Sequence, residues 1–322
     1  MSSSDSTQTQ SISDPYANLG LTKNSDGSFT RTAEFNPTTA ACSDPPSSTP
    51  LLTKDVPINP HNNTWARIYL PRRKSSSPKL PLLLFFHGGG FVVASAASTF
   101  FQSFCSEIAL HLPAVMVSVD YRNAPEHRLP AAYDDCTEAL LWLKSGDEWL
   151  SEHADLSNCY IMGNSAGGNI ALRVGMQASR RVDELAPARI RGLILHQPFF
   201  GGEERTASEI RLAENKVIPL LMTDVIWELA LPVGANRDHE FSNPSMELKL
   251  DEVINERWRI LVTGYEGDPL IDRQKEVARL LREKGVSVRE DFRDGGSHGI
   301  EFYDHSFATV FCRVLKSFIL AV

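Results

Sequence analysis

The stretch Cys159-Tyr160-Ile161-Met162-Gly163-Asn164-Ser165-Ala166-Gly167-Gly168 decides the fold. Cys159–Met162 is short and apolar, as in a buried strand, and the segment from Ala166 to about Arg181 has the apolar spacing of a helix. Glycines on both sides of Ser165 leave room for a tight turn between the two. Such a unit raises the serine above the carboxyl end of a sheet and sets the next amide at a helix N-terminus, where negative charge is favoured. The stretch therefore predicts Ser165 as a nucleophile.

Apolar runs surround this unit. Leu80–Phe86 and Ala114–Val119 are nearly continuous, which is typical of central strands buried on both faces. Further strands are predicted at Ile190–Leu195, Arg259–Thr263 and Val286–Phe292, and helices at Ala94–His111, Tyr133–Leu143, Arg273–Lys284 and Phe307–Leu320. Strands that alternate with helices indicate an α/β protein with a mostly parallel, doubly wound sheet.

The N-terminal part has a different pattern. Thr53–Ile58 and Thr64–Leu70 alternate between apolar and polar residues, which predicts an antiparallel, half-buried edge of the sheet. Ser28–Phe35 alternates loosely and is predicted as a short strand. Residues 1–12 lack apolar anchors, so we expect them to be disordered. Residues 13–322 are then expected to form a single domain.

One segment interrupts the alternation of strands and helices. Residues from Gly201 to about Asn255 separate two predicted strands and are too many for a simple crossover. Within them, Thr223–Leu231 is a strongly apolar helix. We interpret residues of about 201–255, together with about 13–50, as a helical cap over the site.

A glycine run follows the predicted strand Leu80–Phe86. It reads His87-Gly88-Gly89-Gly90, and its glycines leave backbone N–H groups unshielded. Together with the N–H of Ala166, two of these groups can hold a developing oxyanion, and one such donor is typically worth about 10²–10³ in rate. His87 is expected to order this loop by hydrogen bonding.

A serine nucleophile of this kind needs a base and a carboxylate, which follow it in the order acid, then histidine. His298 lies in the small-residue loop Gly295–Gly299 after the last predicted strand, and His305 is its rival. Glu266, Asp268 and Asp272 all follow the strand Arg259–Thr263. Asp268, between a glycine and a proline, is the favoured acid, whereas Asp272 falls where the next helix begins and has a capping or salt-bridge role as its alternative.

Composition excludes several classes of function. The formal net charge is −8, which argues against a nucleic-acid partner. No apolar stretch reaches the roughly 18 residues that a membrane span needs, so stable membrane association is not expected. The 5 cysteines have neither disulfide nor zinc spacing, and neither a metal nor a cofactor is expected. With no apolar signal segment in residues 1–12, a cytoplasmic location is the simplest expectation.

Five motifs in order resemble a known family: HGGGF at His87–Phe91, the segment Val117–Asp134, GxSAGG at Gly163–Gly168, DPLxD at Asp268–Asp272, and Ser297-His298-Gly299. Together they resemble the plant class I carboxylesterases, in the hormone-sensitive-lipase-like branch of the α/β-hydrolases. The resemblance runs from about residue 15 to the end of the chain. It implies the α/β-hydrolase fold, a Ser165–His298–Asp268 triad, and an oxyanion hole at Gly88, Gly89, Gly90 and Ala166.

Three positions depart from that family. Many relatives carry an acidic residue at Asn164, a leucine at Asn123 and an aromatic residue at Ser297. Asn164 removes a charge beside the nucleophile, which affects the expected rate and pH profile but not the mechanism. The charged segment 120–128 is interpreted as a buried network that braces the catalytic loops.

The expected reaction is acyl transfer from a small ester through Ser165. An apolar pocket is predicted from Phe91, Val92, Phe200, Ile218 and Trp227, which suggests a short acyl chain and an apolar or aromatic alcohol. The alternatives are a hormone receptor of the same fold, which would lack the catalytic histidine, and a cyclase or eliminating enzyme. A membrane-associated lipase would need an exposed apolar lid, whereas the cap helix carries Asp224 and Glu228. The chain is expected to be a monomer or a weak homodimer.

Overall fold

The computed structural model describes residues 14–33, 37–74, 76–244, 248 and 250–321. The strands are β1 (Leu21–Lys23), β2 (Phe29–Arg31), β3 (Leu51–Asn59), β4 (Thr64–Pro71), β5 (Leu80–Phe86), β6 (Val115–Asp120), β7 (Ala154–Asn164), β8 (Ile190–His196), β9 (Arg259–Tyr265) and β10 (Ser287–Arg293). The helices are α1 (Thr99–His111), α2 (Ala131–Trp142), α3 (Glu148–His153), α4 (Ala166–Ser179), α5 (Ala207–Arg211), α6 (Leu220–Ala230), α7 (Asp251–Asn255), α8 (Ile271–Glu283) and α9 (His305–Leu320). The expected disorder of residues 1–12 lies outside the described residues.

Within the described ranges, the main sheet has 8 strands in the order β10-β9-β8-β7-β5-β6-β4-β3. Strands β5 to β10 pair in parallel, while β3 and β4 are antiparallel to their neighbours. The prediction of a mostly parallel α/β sheet is confirmed.

Alternation along β5 explains why helices cover both faces of this sheet. Leu82 and Leu84 are buried in one apolar cluster with residues of α2 and α4. Leu83 and Phe85, which point the other way, are buried in a second cluster with residues of α1 and α9. A strand that is apolar on both faces must have a helix layer on each, because neither face then meets water.

The edge region differs in part from the prediction. Of the two strands predicted for this edge, β3 is the half-buried edge strand. β4 lies between β3 and β6 and is buried along nearly its whole length. The predicted strand Ser28–Phe35 is limited to β2, which pairs with the unpredicted β1, and residues 34–36 fall outside the described part. Its pairing partner is a three-residue strand, too short to give a periodic signal.

Several element boundaries also differ from the prediction. β7 begins five residues before Cys159, because its polar first half pairs with the start of β5. α1 begins at Thr99 and not at Ala94, since residues 95–98 form a turn. α6 begins at Leu220, after Pro219, and not at Thr223. The short helices α3, α5 and α7 were not predicted.

The carboxyl edge of the sheet gathers the loops that matter for chemistry. The glycine run follows β5, Ser165 follows β7, Asp268 follows β9, and His298 lies between β10 and α9. The β1–β2 hairpin and α5–α7 lie outside the main sheet. Among the helices of the described ranges, none combines the length and the apolar character that a membrane crossing requires.

Candidate active site

Ser165 lies on a turn that only glycine neighbours permit. Its φ is +54° and its ψ is −119°, in a region that side-chain-bearing residues rarely adopt. A Cβ at Gly163 would lie 1.9 Å from the carbonyl oxygen of Gly167, and one at Gly167 would lie 1.9 Å from that of Phe86. The two glycines let the chain turn directly from β7 into α4. Ser165 lies at this turn.

The end of β8 and the residues after it hydrogen-bond the backbone of this turn. The Ser165 N–H donates to the carbonyl oxygen of His196 at 2.9 Å, and the Phe199 N–H donates to the carbonyl oxygen of Ser165 at 2.9 Å. Ser165 is 6% exposed, so these backbone bonds are shielded from water. They compensate in part for the unusual backbone angles at the serine.

The structure brings Ser165, His298 and Asp268 into one chain of hydrogen bonds. Nε2 of His298 lies 2.8 Å from Oγ of Ser165, and Nδ1 lies 2.7 Å from Oδ2 of Asp268. An ionised carboxylate only accepts, so Nδ1 carries the ring proton and Nε2 is free to accept from the serine hydroxyl. This is the proton-accepting geometry that a general base requires.

Asp268 is fixed by bonds to both of its carboxylate oxygens. The side chain is fully buried; Oδ1 accepts from the Leu270 N–H at 2.9 Å and Oδ2 from Nε2 of Gln274 at 2.8 Å. Sequence analysis did not identify Gln274, because its contact with Asp268 depends on how the loop after β9 leads into α8. These bonds hold the carboxylate in one orientation beside His298.

The rival residues have other partners. Oδ2 of Asp272 accepts from the Ser208 N–H at 2.7 Å, which joins the start of α8 to α5. Glu266 pairs with Lys275. His305 is the first residue of α9, is mostly exposed and pairs with Glu107 at 2.8 Å. None of the three contacts the Ser165–His298 pair.

Opposing effects set the protonation of His298. Burial lowers the pKa of its imidazole, while the charge and hydrogen bond of Asp268 raise it, and the net pKa lies above the ordinary value of 6.5. Glu301, also buried, adds to the rise in pKa. An imidazole of raised basicity accepts a hydroxyl proton more readily.

The glycine loop after β5 lies against the serine turn. Gly89 and Gly90 have φ values of +105° and +62°, and both border the same cavity as Ser165. Among the described residues, the N–H groups of Gly89 and Gly90 take part in no protein hydrogen bond. Ala166 opens α4, where N–H groups have no partner within the helix. Gly88 packs against Asn164 and the Cβ of Ser165.

His87 braces this loop. Its Nδ1 bonds the carbonyl oxygen of Gly88 at 2.7 Å, its ring stacks on Tyr121 with centroids 4.2 Å apart, and the Tyr121 hydroxyl donates to the His87 carbonyl oxygen. Burial lowers the pKa of His87 despite the nearby charge of Asp120. A neutral, stacked ring of this kind supports the loop without taking part in proton transfer.

The charged segment 120–128 makes bracing contacts, but it is partly exposed and is not the buried network that was predicted. Asp120 accepts from the Ala96 N–H at 2.8 Å, and Arg122 forms a bidentate pair with the buried Asp135. Arg128 donates to the carbonyl oxygens of Glu228 and Leu231 at the end of α6. The segment thereby connects the sheet edge to the 201–255 insertion.

A cavity of about 190 Å³ opens beside Ser165 and His298. Its walls are mainly apolar, and they come from both the sheet loops and the segments outside the sheet. They include Leu19, Val93, Phe100, Phe101, Phe199, Val217, Ile218, Met222, Ile226, Phe302 and Tyr303, together with Gly89, Gly90, Asn164 and Gly299.

Of the predicted pocket residues, Ile218 lines this cavity. Phe91, Val92, Phe200 and Trp227 are at most 1% exposed and do not line the cavity. Trp227 stacks on Phe199 with centroids 4.6 Å apart, and Phe91 lies 5.6 Å from Trp227, so these rings form a layer behind the wall. An apolar pattern does not tell which face of a segment meets a cavity. In the same segments, Phe199, Met222 and Ile226 line the cavity instead.

Other wall residues were missed because they come from segments that carry no catalytic motif. Leu19 is in the turn before β1, while Phe302 and Tyr303 follow the His298 loop. Tyr303 is 78% exposed and Phe302 packs against Phe101 at 5.2 Å. Short aromatic pairs directly after a catalytic loop are the signal that could have found the last two.

Comparison with known proteins shows the family. Residues 83–302 match a family model described as "alpha/beta hydrolase fold". The chain is 49% identical over 320 residues to Carboxylesterase 20 of Arabidopsis thaliana, covering 97% of this chain and 98% of that protein. It is 42% identical over 293 residues to 3-O-acetylpapaveroxine carboxylesterase CXE1 of Papaver somniferum, covering 86% and 91%.

The fold is also similar to solved structures. An esterase of the archaeon Pyrobaculum calidifontis superposes with a TM-score of 0.71 at 25% sequence identity, covering 84% of this chain and 86% of that one. The superposition therefore extends over most of both chains.

Proposed function

This chain belongs to the α/β-hydrolase fold family and is a carboxylesterase, and we propose that it acts through Ser165, His298 and Asp268. The observation that carries the proposal is the 2.8 Å contact between Nε2 of His298 and Oγ of Ser165. This contact lies beside unpaired backbone donors, at the mouth of an apolar cavity.

The reaction has two steps. His298 takes the Ser165 proton as the hydroxyl oxygen attacks the ester carbonyl, and the negative charge that develops is stabilised by the N–H groups of the Gly88–Gly90 loop and Ala166. The proton then passes from His298 to the leaving alcohol. Water, activated by the same imidazole, releases the acid from the acyl-enzyme. Asp268 holds the tautomer and stabilises the imidazolium, and neither step requires a metal or a cofactor.

The proposed substrate is a neutral ester with a short acyl chain and an apolar or aromatic alcohol, such as a specialised metabolite or a xenobiotic. The cavity is small, and its wall within the described residues includes no Asp, Glu, Lys or Arg, which supports a neutral substrate. The Papaver somniferum relative is named for an O-acetyl compound. Both observations favour acetyl and similarly short acyl groups.

The receptor alternative has weaker support, because the gibberellin receptor GID1B of Arabidopsis thaliana matches only 46% of this chain, and no observation favours the cyclase or lipase alternatives. A receptor of this fold has no use for a base, yet His298 is buried, oriented by Asp268 and bonded to Ser165. We further propose a cytoplasmic location, which the 5 free cysteines support because thiols persist in reducing compartments. A monomer or weak homodimer in solution is the accompanying proposal, to be checked by light scattering.

The test is hydrolysis of p-nitrophenyl acetate by Ser165→Ala. Removing the nucleophile is expected to lower kcat by roughly 10⁶-fold. Ser103→Ala, which changes an exposed serine on α1, is the matched control and should keep wild-type activity. A fluorophosphonate should label the Ser165 peptide of the wild type alone. Retained activity in Ser165→Ala, or a label on another residue, would disprove the assignment.

A further inference from the structure

The loop that carries His298 is rich in glycine. Gly295, Gly296 and Gly299 all have positive φ, at +67°, +64° and +69°. Glycine loses more conformational freedom on ordering than any other residue, so a loop built from it needs outside contacts to hold one position. Precision matters here, since a displacement of about 1 Å at a catalytic group can cost about 10²-fold in rate.

Gln197 contacts this loop on both sides of the base. Its Oε1 accepts from the Gly299 N–H at 2.6 Å, and its Nε2 donates to the Ser297 carbonyl oxygen at 3.4 Å. The Gly299 N–H can only donate, which fixes the orientation of the amide. The Gln197 side chain thus provides one acceptor and one donor to the backbone of the two residues that flank His298.

Gln197 is buried, and its backbone has an unfavourable conformation. It is fully buried, and its N–H donates to the Thr263 carbonyl oxygen at 2.9 Å. Its φ is +46°, a conformation that costs a residue with a side chain roughly 1–2 kcal/mol and a glycine almost nothing. Retaining a glutamine where the backbone favours glycine indicates that its amide is needed.

The neighbours of Gln197 extend the same connection to the nucleophile. The carbonyl oxygen of His196 accepts from the Ser165 N–H, and the Phe199 N–H donates to the Ser165 carbonyl oxygen. The four residues 196–199 therefore contact the nucleophile turn through the backbone and the base loop through the Gln197 side chain. No other segment among the described residues hydrogen-bonds both the Ser165 backbone and the backbone flanking His298.

We propose that Gln197 is a positioning residue that fixes His298 relative to Ser165 by bonding the backbone on either side of the imidazole. The proposal rests on the proposed function, since it assigns a purpose to the spacing of the two groups. Gln197 contacts neither the serine hydroxyl nor the imidazole. Its loss is expected to reduce the fraction of molecules in which the pair is aligned, and so to lower kcat with little effect on KM.

The test is Gln197→Met, which keeps the length of the side chain and removes both hydrogen bonds. With p-nitrophenyl acetate we expect kcat to fall roughly 10–100-fold and KM to change less than about two-fold. Hydrogen exchange of the Gly299 amide should become faster. Gln102→Met is the matched control, because Gln102 bonds Arg67 and Tyr69 away from the site. It should lose stability and keep both kcat and the exchange rate at Gly299.

Gln197→Glu gives a second measurement in case the methionine variant does not fold. As a carboxylate it still accepts from Gly299 but has no N–H for Ser297, so at pH 8 we expect a smaller loss of kcat. Wild-type kcat in either Gln197 variant, or unchanged exchange at Gly299 in Gln197→Met, would overturn the proposal. If Ser165→Ala stays active, the proposed function has failed; if Ser165→Ala is inactive and Gln197→Met is not, only the positioning role has failed.

Discussion

The backbone at Ser165 has an unfavourable conformation that the surrounding structure maintains. Its left-handed angles would be replaced by ordinary ones if the turn could relax, but Gly163 and Gly167 are packed against carbonyl oxygens and the segment 196–199 holds the serine on both sides. Strain of this kind costs about 1–3 kcal/mol and persists only where surrounding structure enforces it. The hydroxyl consequently faces the cavity in one fixed orientation.

The protonation of His298 leads to a prediction at the same scale. Its pKa lies above 6.5, and only the neutral ring can accept the serine proton, so kcat/KM should fall as pH drops through a midpoint above 6.5. Asp268→Asn removes the charge that raises this pKa. The midpoint should then move to lower pH, and kcat should fall by roughly 10⁴-fold because the wrong tautomer is stabilised. A pH profile from 5 to 9 with p-nitrophenyl acetate measures both.

Asp272→Asn is the matched control for this profile. It makes the same chemical change four residues along, where the carboxylate bonds Ser208 and not the imidazole. The wild-type midpoint and rate should be kept. An Asp268→Asn profile with an unshifted acid limb would show that His298 is not the titrating base.

At the scale of the element, the N-terminal segment contributes directly to the pocket. Leu19 is 3% exposed and lines the cavity, although it lies about 146 residues before the nucleophile in the chain. Tyr16 bonds Glu228 on α6 at 2.8 Å, and Lys23 pairs with the same carboxylate. The segment and α6 therefore meet across the cavity, but the ties between them are half-exposed and worth little in stability.

Leu19→Ala should enlarge the pocket. We expect kcat/KM for p-nitrophenyl butyrate, relative to the acetate, to rise about 10-fold, the scale on which hydrophobic pockets discriminate small alkyl groups. The variant should also lose roughly 2 kcal/mol of unfolding free energy through the deleted buried atoms. Initial rates with the two esters and a urea melt provide the measurements.

Leu21→Ala separates pocket volume from stability. Leu21 is 1% exposed in the same segment and does not line the cavity. It should lose a similar amount of stability while keeping the wild-type ratio of butyrate to acetate. Equal ratios in both variants would argue that the segment does not shape the pocket.

Elements differed in how far the sequence predicted them, for physical reasons. The run Leu80–Phe86 was predicted with its observed bounds because a strand buried on both faces admits almost no polar residue. α5 and α7 have 5 residues each, too few for helical periodicity to register. The placement of Asp268 beside His298 was predicted from motif order, whereas Gln197 and Gln274 act through tertiary contacts that leave no local pattern.

At the scale of the whole molecule, burial of the thiols offers a test of the fold. All 5 cysteines are free, and only Cys42 is exposed. Burial raises the pKa of Cys159 and of Cys312 to about 12 and that of Cys105 further, so these thiols form no reactive thiolate at neutral pH. Ellman's reagent should modify one thiol quickly in the native protein and five in guanidinium chloride. A second fast thiol without denaturant would contradict the packing of the apolar cluster in which that cysteine is buried.

The division of the cavity wall has a consequence for how such an enzyme changes. The reacting groups belong to loops at the sheet edge, while Leu19, Ile218, Met222 and Ile226 come from segments outside the main sheet. Substitutions in those segments alter which ester fits without touching the strand pairing that folds the chain. Selection, natural or in the laboratory, can therefore retune substrate preference at low risk to the catalytic apparatus, and new specificities should arise first by drift at these four positions.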